Sequence, residues 1–543
     1  MRMNIKHIAL LLVTGLCGRL MAQDAASARL RVWSDQKVHV TGEDIWVDGE
    51  VSGDLKQSRT VTIRLLDRSG AVMTVADLVP NGFNISGYLT IPENIHSDYY
   101  FLDCTVAGVR TKTDISPVMV INPRIPPSAE CRGSEPGVMP SQNIASAIRV
   151  SPDRDKVPTR TEVICRVAGV EDLRDLSIVV YRQDQLSQLM DSASAGFAAT
   201  LTHEAHGATE NEGRVMRARA TVNGRPVAKI PLVATMKGRG TVLASAITDE
   251  NGVADFVLPV IFDESMLVLE PQGSAPSGIS ISEIEEPTTP GSIAFPCLKL
   301  RTEMRADIEA RLLNTRVLNR FYVDGSKAYT ASDRDTSAFY GKPDFKYLLD
   351  EYVRFPNMEE VIGEIIPEAR VVKEKGNRVL QVLNLPFKAF FSEEALVLVD
   401  GVPLRDSKKI LDADPLLIRS IEVVTHRFVV GNADFKGVIH FRSYKGDMAG
   451  LTLSAGDVSV PFRGNQDAAR LNTPEKVSRT DRMPDLRNLL VKDAVSSEQV
   501  KNGFRFYTSD AEGAYRILVR GRQGNGEIRT GSAVITVVPL TAD

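Results

Sequence analysis

Residues 395–402 read Ala395-Leu396-Val397-Leu398-Val399-Asp400-Gly401-Val402, five apolar residues without alternation, stopped by an Asp-Gly turn. Such a run predicts a strand covered on both faces, because a strand with one wet face alternates apolar and polar side chains. Two more strand patterns follow, Ile421-Glu422-Val423-Val424 and Gly437-Val438-Ile439-His440-Phe441. Upstream, Asn357 is placed to cap a helix whose third residue is Glu360. Met358, Val361, Ile362 and Ile365 form its apolar stripe, and Pro367 ends it. Helix, strand, turn, strand and strand in this order predict a small α/β domain over 341–446.

The rest of the chain has a different texture. From Arg29 to Asn122, short alternating runs such as Ile45-Trp46-Val47-Asp48-Gly49-Glu50-Val51 lie between turn signals such as Asp67-Arg68-Ser69-Gly70. Period-two alternation at this spacing predicts a β-sandwich. The same pattern recurs over 144–211 and 212–275, and again over 447–543, where Tyr515-Arg516-Ile517-Leu518-Val519 is one instance. Residues 123–143, rich in Pro, Gly and Ser, read as a linker. Residues 276–340 read as a connector carrying a helix over 301–322, with Met304, Ile308 and Leu312 on one face. Gln183 to Asn211 reads as a long polar excursion. Two strands around Thr248-Asp249-Glu250-Asn251-Gly252 suit a compact antiparallel sandwich. The expected fold class is multidomain and mainly β, with several sandwiches and one α/β domain.

Bulk properties agree with a chain of several cores. The 543 residues are 43% hydrophobic and 25% charged, ordinary values for globular proteins, and suggest about three to five domains. Lys and Arg number 65 against 69 Asp and Glu. That balance lacks the basic surplus with which nucleic-acid binders release phosphate counterions. Residues 1–23 read as a signal peptide, with Arg2 and Lys6 before an apolar Ile8–Leu16 core and Ala22 at the cleavage point. Leu16 is too bulky to precede a lipidated Cys17. No later run reaches the roughly 20 apolar residues of a membrane helix. Export places Cys104, Cys131, Cys165 and Cys297 where disulfides form, and spacing does not choose among their three full pairings.

Three resemblances rest on particular residues. Val32-Trp33-Ser34-Asp35-Gln36-Lys37-Val38-His39-Val40-Thr41-Gly42-Glu43 resembles the opening of a macroglobulin-type sandwich, and the stretch from Ile148 to Val157 repeats it. Asn223-Gly224-Arg225-Pro226-Val227 with the 248–252 turn looks like a carboxypeptidase-regulatory-type or similar immunoglobulin-like module. Residues 395–402, Ile418 to Val424 and Lys436 to Phe441 resemble the plug domain of starch-utilisation-type TonB-dependent receptors. In that plug, Asp400, Gly401, Ile421, Glu422, Gly437, Val438 and Ile439 are structural or docking residues. A receptor of that family also needs about 22 membrane strands of roughly ten residues. Only 97 residues follow Gly446, too few for that barrel. The order of these pieces is similar to a group of exported, barrel-less envelope proteins.

Candidate chemistry is sparse. His203-Glu204-Ala205-His206 places its histidines three apart, whereas a zincin needs four on one helical face; a solvated loop is expected. Asp400 and Glu422 could be paired carboxylates, but the plug resemblance makes them turn and strand residues. Cys131-Arg132-Gly133-Ser134-Glu135 lacks the Gln of a macroglobulin thioester, and neither a Gly-x-Ser-x-Gly elbow nor a P-loop occurs. Asp191-Ser192-Ala193 is a candidate O-glycan acceptor. No catalytic residue, cofactor or metal is expected. The expected function is that of an envelope scaffold attached to an outer-membrane transport or secretion system, in the periplasm or at the cell surface. Its partners would be envelope proteins. The alternatives are a macroglobulin-like protease trap with its bait near Gln183–Asn211, and an uncharacterised hydrolase.

Overall fold

A computed structural model describes residues 27–53, 60–106, 109–125, 127, 148–204, 214–238, 240, 242–262, 265–272, 276–284, 292–321, 327–330, 337–374, 376–454, 456–474, 476–524 and 526–540. The signal-peptide reading, Cys17, Cys131, His206 and most of the expected linker lie outside them. The chain is mainly β and forms two compact units. One comprises Met1–His206, Thr288–Ala331 and Gln466–Asp543, the other Gly207–Pro287 and Ser332–Asn465.

In the first unit, a sandwich pairs two five-stranded sheets. One runs Thr200–His203, Arg110–Asp114, Ser27–Trp33, Asp44–Gly53, Asn84–Thr90. The other runs Val38–Val40, Ser116–Ile121, Asp98–Thr105, Val61–Leu66, Val72–Leu78. Leu30, Ile45, Val47, Ile63, Leu65, Leu102 and Val120 fill the space between them. Tyr99-Tyr100-Phe101-Leu102 breaks alternation because both of its faces are covered. Tyr100 and Leu102 point into the sandwich, while Tyr99 and Phe101 meet a second core containing Leu186, Met190 and Phe295. There Phe101 and Tyr99 pack edge-on against Phe295 at 5.4 and 4.9 Å, a favoured aromatic geometry.

This second core corrects the reading of 183–211 as a polar excursion. Gln185–Ser194 is a helix closed by an Asp184/Ser187 capping box, and it buries Leu186, Met190 and Ala193. The chain then adds Thr200–His203 to the first sandwich, antiparallel to Arg110–Asp114. The apolar stripe was hard to see because it is short and diluted by Ser and Gln. The helix expected over 301–322 forms at Arg305–Phe321 after a turn at Thr302–Met304. Met304, Ile308 and Leu312 pack as expected, yet its buried residues are Arg311, Asn314 and Thr315.

The expected free-standing sandwich over 447–543 is half of another. Leu173–Gln183 lies between Leu489–Ala494 and Gly513–Gln523 in a five-stranded sheet, and Glu162–Ala168 pairs with Phe504–Tyr507 in the sheet opposite. Val163, Ile178, Phe506, Tyr515, Ile517 and Ile535 share one core. Alternation reveals strands but not their distant partners, so this pairing across some three hundred residues of chain was not legible.

The second unit contains a sandwich of two four-stranded sheets. Arg214–Val222 pairs with Arg225–Pro226, Val253–Leu258 and Ile279–Glu283, facing the sheet Leu243–Ile247, Pro231–Met236, Ser265–Pro271, Val458–Phe462. The two strands around Thr248–Gly252 belong to opposite sheets, so this turn is an arch between layers and not a hairpin. Asp249 shapes it by accepting from the amides of Asn251 and Val253, both at 2.8 Å. The expected connector contributes the Ile279–Glu283 strand to this sandwich.

The α/β domain forms in the same unit. Its sheet runs Phe345–Leu348, Ile418–Val430, Ala433–Ser443, Leu396–Val399, Val402–Pro403. Leu396–Val399 is parallel to Val438–Phe441 and buried throughout. Val397 and Val399 enter the helix-side core, and Leu396 and Leu398 the core on the other face. The lack of alternation thus has its expected cause. The helix Met358–Ile365 starts where expected: Asn357 accepts from the Glu360 amide at 2.9 Å and donates to the Glu360 carboxylate at 2.7 Å.

Cysteine chemistry divides. Cys104 and Cys165 are buried free thiols, so none of the full pairings forms, and burial pushes both thiols above their ordinary pKa. Cys297 is in a disulfide whose partner lies outside the described residues.

Candidate functional site

The seven residues singled out in the plug-like segment converge, but as framework. Asp400 occupies a left-handed turn position, φ +46°. Its carboxylate accepts from the Ser443 amide at 2.8 Å, the Ser443 hydroxyl at 2.6 Å and the Met448 amide at 2.8 Å. Gly401 follows at φ +81°, where a Cβ would stand 2.7 Å from Met236 O and Gly240 N. Only glycine lets the two backbones approach this closely. Through Gly401, and through Gly238 N donating to Asp400 O at 2.6 Å, the turn is seated on the neighbouring sandwich. Ile421 and Ile439 lie in the helix-side core and Val438 in the opposite one. Gly437, at φ +89°, admits the side chain of Val382.

Glu422 is buried and does not pair with Asp400. It accepts from the Tyr340 hydroxyl at 2.6 Å and meets Lys346 and Arg442, each at 3.0 Å. Burial pushes its pKa up, but the Tyr340 and Lys346 hydrogen bonds and the Arg442 charge outweigh that and hold it below the usual range. His440 completes the network. Its Nε2 accepts from Gly401 N–H at 2.9 Å, so the ring proton is on Nδ1, which donates to Tyr340 Oη at 2.7 Å. Burial and the Arg442 charge lower its pKa to about 3, so this imidazole stays neutral. Both its nitrogens are spent inside the protein, leaving none for proton transfer to a ligand. The sequence signal for this network was a lone histidine inside an otherwise apolar strand, which must find partners. Tyr340 gave no such signal.

Deleting the central hydroxyl with Tyr340→Phe leaves two buried polar groups short of a partner. The expected loss is about 1–3 kcal/mol of stability, read from the denaturant midpoint. An unchanged midpoint would show that the network contributes nothing.

Other singled-out residues are placed as follows. His203 is a strand residue and not part of a solvated loop. Its Nε2 lies 3.0 Å from Asp103 Oδ1 and its Nδ1 3.2 Å from Arg64 Nη2, with Asp103 fully buried. Glu204 meets Arg110 at 3.3 Å. Among the described residues no group of three or more His, Cys, Asp or Glu is assembled to hold a metal. Ser192 is exposed but helical, its hydroxyl donating to Gln188 O at 2.9 Å.

The surface feature of the α/β domain is one end of its sheet. Phe345–Leu348 is an edge strand, hydrogen-bonded only to Ile418–Val430 among the described strands. Beside it, Leu348, Tyr352, Val353, Leu416, Leu417 and Tyr444 are all exposed, Val353 at 80% and Leu416 at 61%. Arg354 gathers them. It donates to Pro415 O and Ile418 O at 3.1 and 3.2 Å and to the Tyr444 hydroxyl at 2.8 Å. Tyr444 in turn donates to Asp350 and, through its amide, to Leu417 O at 3.2 Å. The sheet thus ends in an edge strand whose neighbouring connections carry exposed apolar side chains.

No family model and no curated protein matches this chain. Among solved structures it is similar to Salmonella alpha-2-macroglobulin reacted with methylamine, at 8% identity over 95% of this chain and 40% of that one, with a TM-score of 0.21. Trypsin-activated alpha-2-macroglobulin from Escherichia coli is similar at 8% identity over 94% and 42%, TM-score 0.22. A tetra-tandem repeat from the extending region of a large adhesion protein matches at 8% identity over 95% and 100%, TM-score 0.14. The chain therefore spans about two fifths of the macroglobulins it resembles, and the likeness reaches neither family nor activity.

Proposed function

We propose that the chain is a non-enzymatic binding or scaffolding protein of a bacterial envelope, an accessory of an outer-membrane transport or secretion system. It docks an extended segment of an envelope protein on the free edge of the α/β domain. The carrying observation is the Phe345–Leu348 edge strand beside the cluster held by Arg354. Strand addition supplies main-chain hydrogen bonds, and the flanking side chains supply selectivity. The plug-like residues themselves are buried, so they act by holding this sheet and not by touching the partner. Export is supported by the signal-peptide pattern of residues 1–23 and by the disulfide at Cys297, which suits an oxidising compartment. No helix among the described residues is long and apolar enough to cross a membrane.

The protease-trap alternative needs an exposed bait, and residues 185–194 of its expected site are a helix with three buried apolar side chains. The hydrolase alternative needs free titratable groups converging in a pocket. The Tyr340–Glu422–His440 cluster is instead internally satisfied.

Affinity capture from cross-linked envelopes tests the proposal. The wild-type chain should retain an outer-membrane or periplasmic protein, and Val353→Asp with Leu416→Asp should lose most of it, at least tenfold, while folding normally. Equal recovery by the double variant would place docking elsewhere.

A further inference from the structure

The first unit contains a cleft of about 430 Å³, within the size range of small-ligand sites. One wall is the turn-rich segment around Ser478–Met483. One partly exposed guanidinium holds that wall in place: Arg160 donates to Ser478 O at 2.9 Å, Asp481 O at 2.6 Å and Met483 O at 2.6 Å. The same guanidinium grips Asp510 with a fork at 2.7 and 2.6 Å. Asp510 in turn accepts from Asp485 N at 2.9 Å. The wall is therefore fixed before any ligand arrives.

Charges in the depth of the cleft are already compensated. Arg160 has Asp510, Asp44 has Lys327 at 2.7 Å, and Asp485 has Arg487 at 2.6 Å. Glu43 accepts from Thr315 Oγ1 at 2.6 Å and from Val40 N at 3.2 Å. A charged ligand would find no free counter-charge among these groups; Lys476 and Asp481, which also line the cleft, are exposed side chains. One buried polar atom does lack a partner. Asn488 lines the cleft and is only 4% exposed. Its Oδ1 accepts from Asn314 at 2.9 Å, while its Nδ2 has no hydrogen-bond partner. A buried amide N–H left unpaired is destabilising, and a ligand carbonyl would satisfy it. The remaining lining includes Trp46, Leu318, Val477, Met483 and Leu489.

From these observations we infer that the cleft binds a short uncharged peptide, its carbonyl on Asn488 Nδ2 and its apolar side chains against Trp46, Leu318 and Met483. This site is independent of the sheet edge proposed for docking. Titration calorimetry on the full chain tests it, with N-acetyl-trileucine amide as probe and N-acetyl-trilysine amide and maltotriose as comparisons. The leucine peptide should bind and the other two should not. Met483→Trp, which fills the mouth from a half-exposed position, should weaken binding at least tenfold. Asn488→Asp, which keeps the acceptor for Asn314 but removes the free donor, should do the same. Absence of leucine-peptide binding, unchanged affinity in Met483→Trp, or preferential binding of maltotriose or the lysine peptide would each overturn the assignment.

Discussion

Arg311→Met should destabilise the first unit by about 3–5 kcal/mol at neutral pH, the cost of breaking a buried ion pair by removing one partner. Arg311 is 1% exposed, the largest fully buried side chain described. Its Nε donates to Asp184 Oδ2 at 2.5 Å, and its other nitrogens reach Val38 O at 3.2 Å and Ser187 Oγ at 3.3 Å. Burial pushes the Asp184 pKa up, but Arg311 and the Ser187 hydrogen bonds overcome this and hold it below its ordinary value. In the wild type this contribution is present above the unfolded pKa and is lost as pH falls through the depressed folded one. Without Arg311, burial governs, and a carboxylate is stranded between a helix and a sheet. The deficit should therefore shrink at acidic pH, where Asp184 can take up a proton. Urea denaturation at neutral and acidic pH measures both effects. Adding Asp184→Asn to Arg311→Met should recover part of the loss; strictly additive losses would show that the two side chains are not coupled.

Glu270→Gln should have an effect of comparable size and opposite sign, confined to one side of the pH scale. Glu270 is buried in the second unit, where burial, followed by the nearby Asp457, pushes its pKa up to about 7 against the pull of Arg405. Its Oε1 accepts from Gln272 at 3.1 Å and lies 3.5 Å from Arg405, while Oε2 has no hydrogen-bond partner. A carboxyl with a raised folded pKa favours folding while protonated. That contribution is complete below the unfolded value near 4.5 and disappears as pH rises through about 7. Above pH 7 the wild type must fold with a poorly solvated charge, a penalty of about 3 kcal/mol at 1.36 kcal/mol per pKa unit. The amide removes that charge and keeps the Gln272 contact, and Arg405 retains Asp457. The variant should thus be more stable than wild type at pH 8 and similar to it at pH 4.5. Parallel stability curves for the two proteins from pH 4.5 to 8 would contradict the burial of Glu270.

These two positions also show what the sequence could and could not disclose. The α/β domain was legible because its signals are local. Asn357 and Glu360 sit one helical turn apart, Leu396–Val399 is apolar throughout, and Asp400-Gly401 supplies a turn signal directly after it. Sandwich strands were legible by alternation for the same reason. Partnerships between distant strands were not: nothing in Leu173–Gln183 says that it will pair with Leu489–Ala494 and Gly513–Gln523. Buried polar groups were missed in the same way. Arg311, amid the charged residues of its helix, reads as a solvated side chain until Asp184 is brought against it. His203 read as a loop residue because Asp103 lies a hundred positions away. The proposed docking surface left only a faint trace, since Val353, Leu416 and Tyr444 come from three separate connections.

The most direct test places a photo-activatable cross-linking residue at Val353 and, separately, at buried Ile421 in the full-length protein in its own cells. If the free sheet edge is the docking surface, irradiation should join the Val353 protein to an outer-membrane or periplasmic protein and leave the Ile421 protein without such an adduct. A Val353 protein that captures nothing under conditions where the envelope is intact would contradict the proposed role.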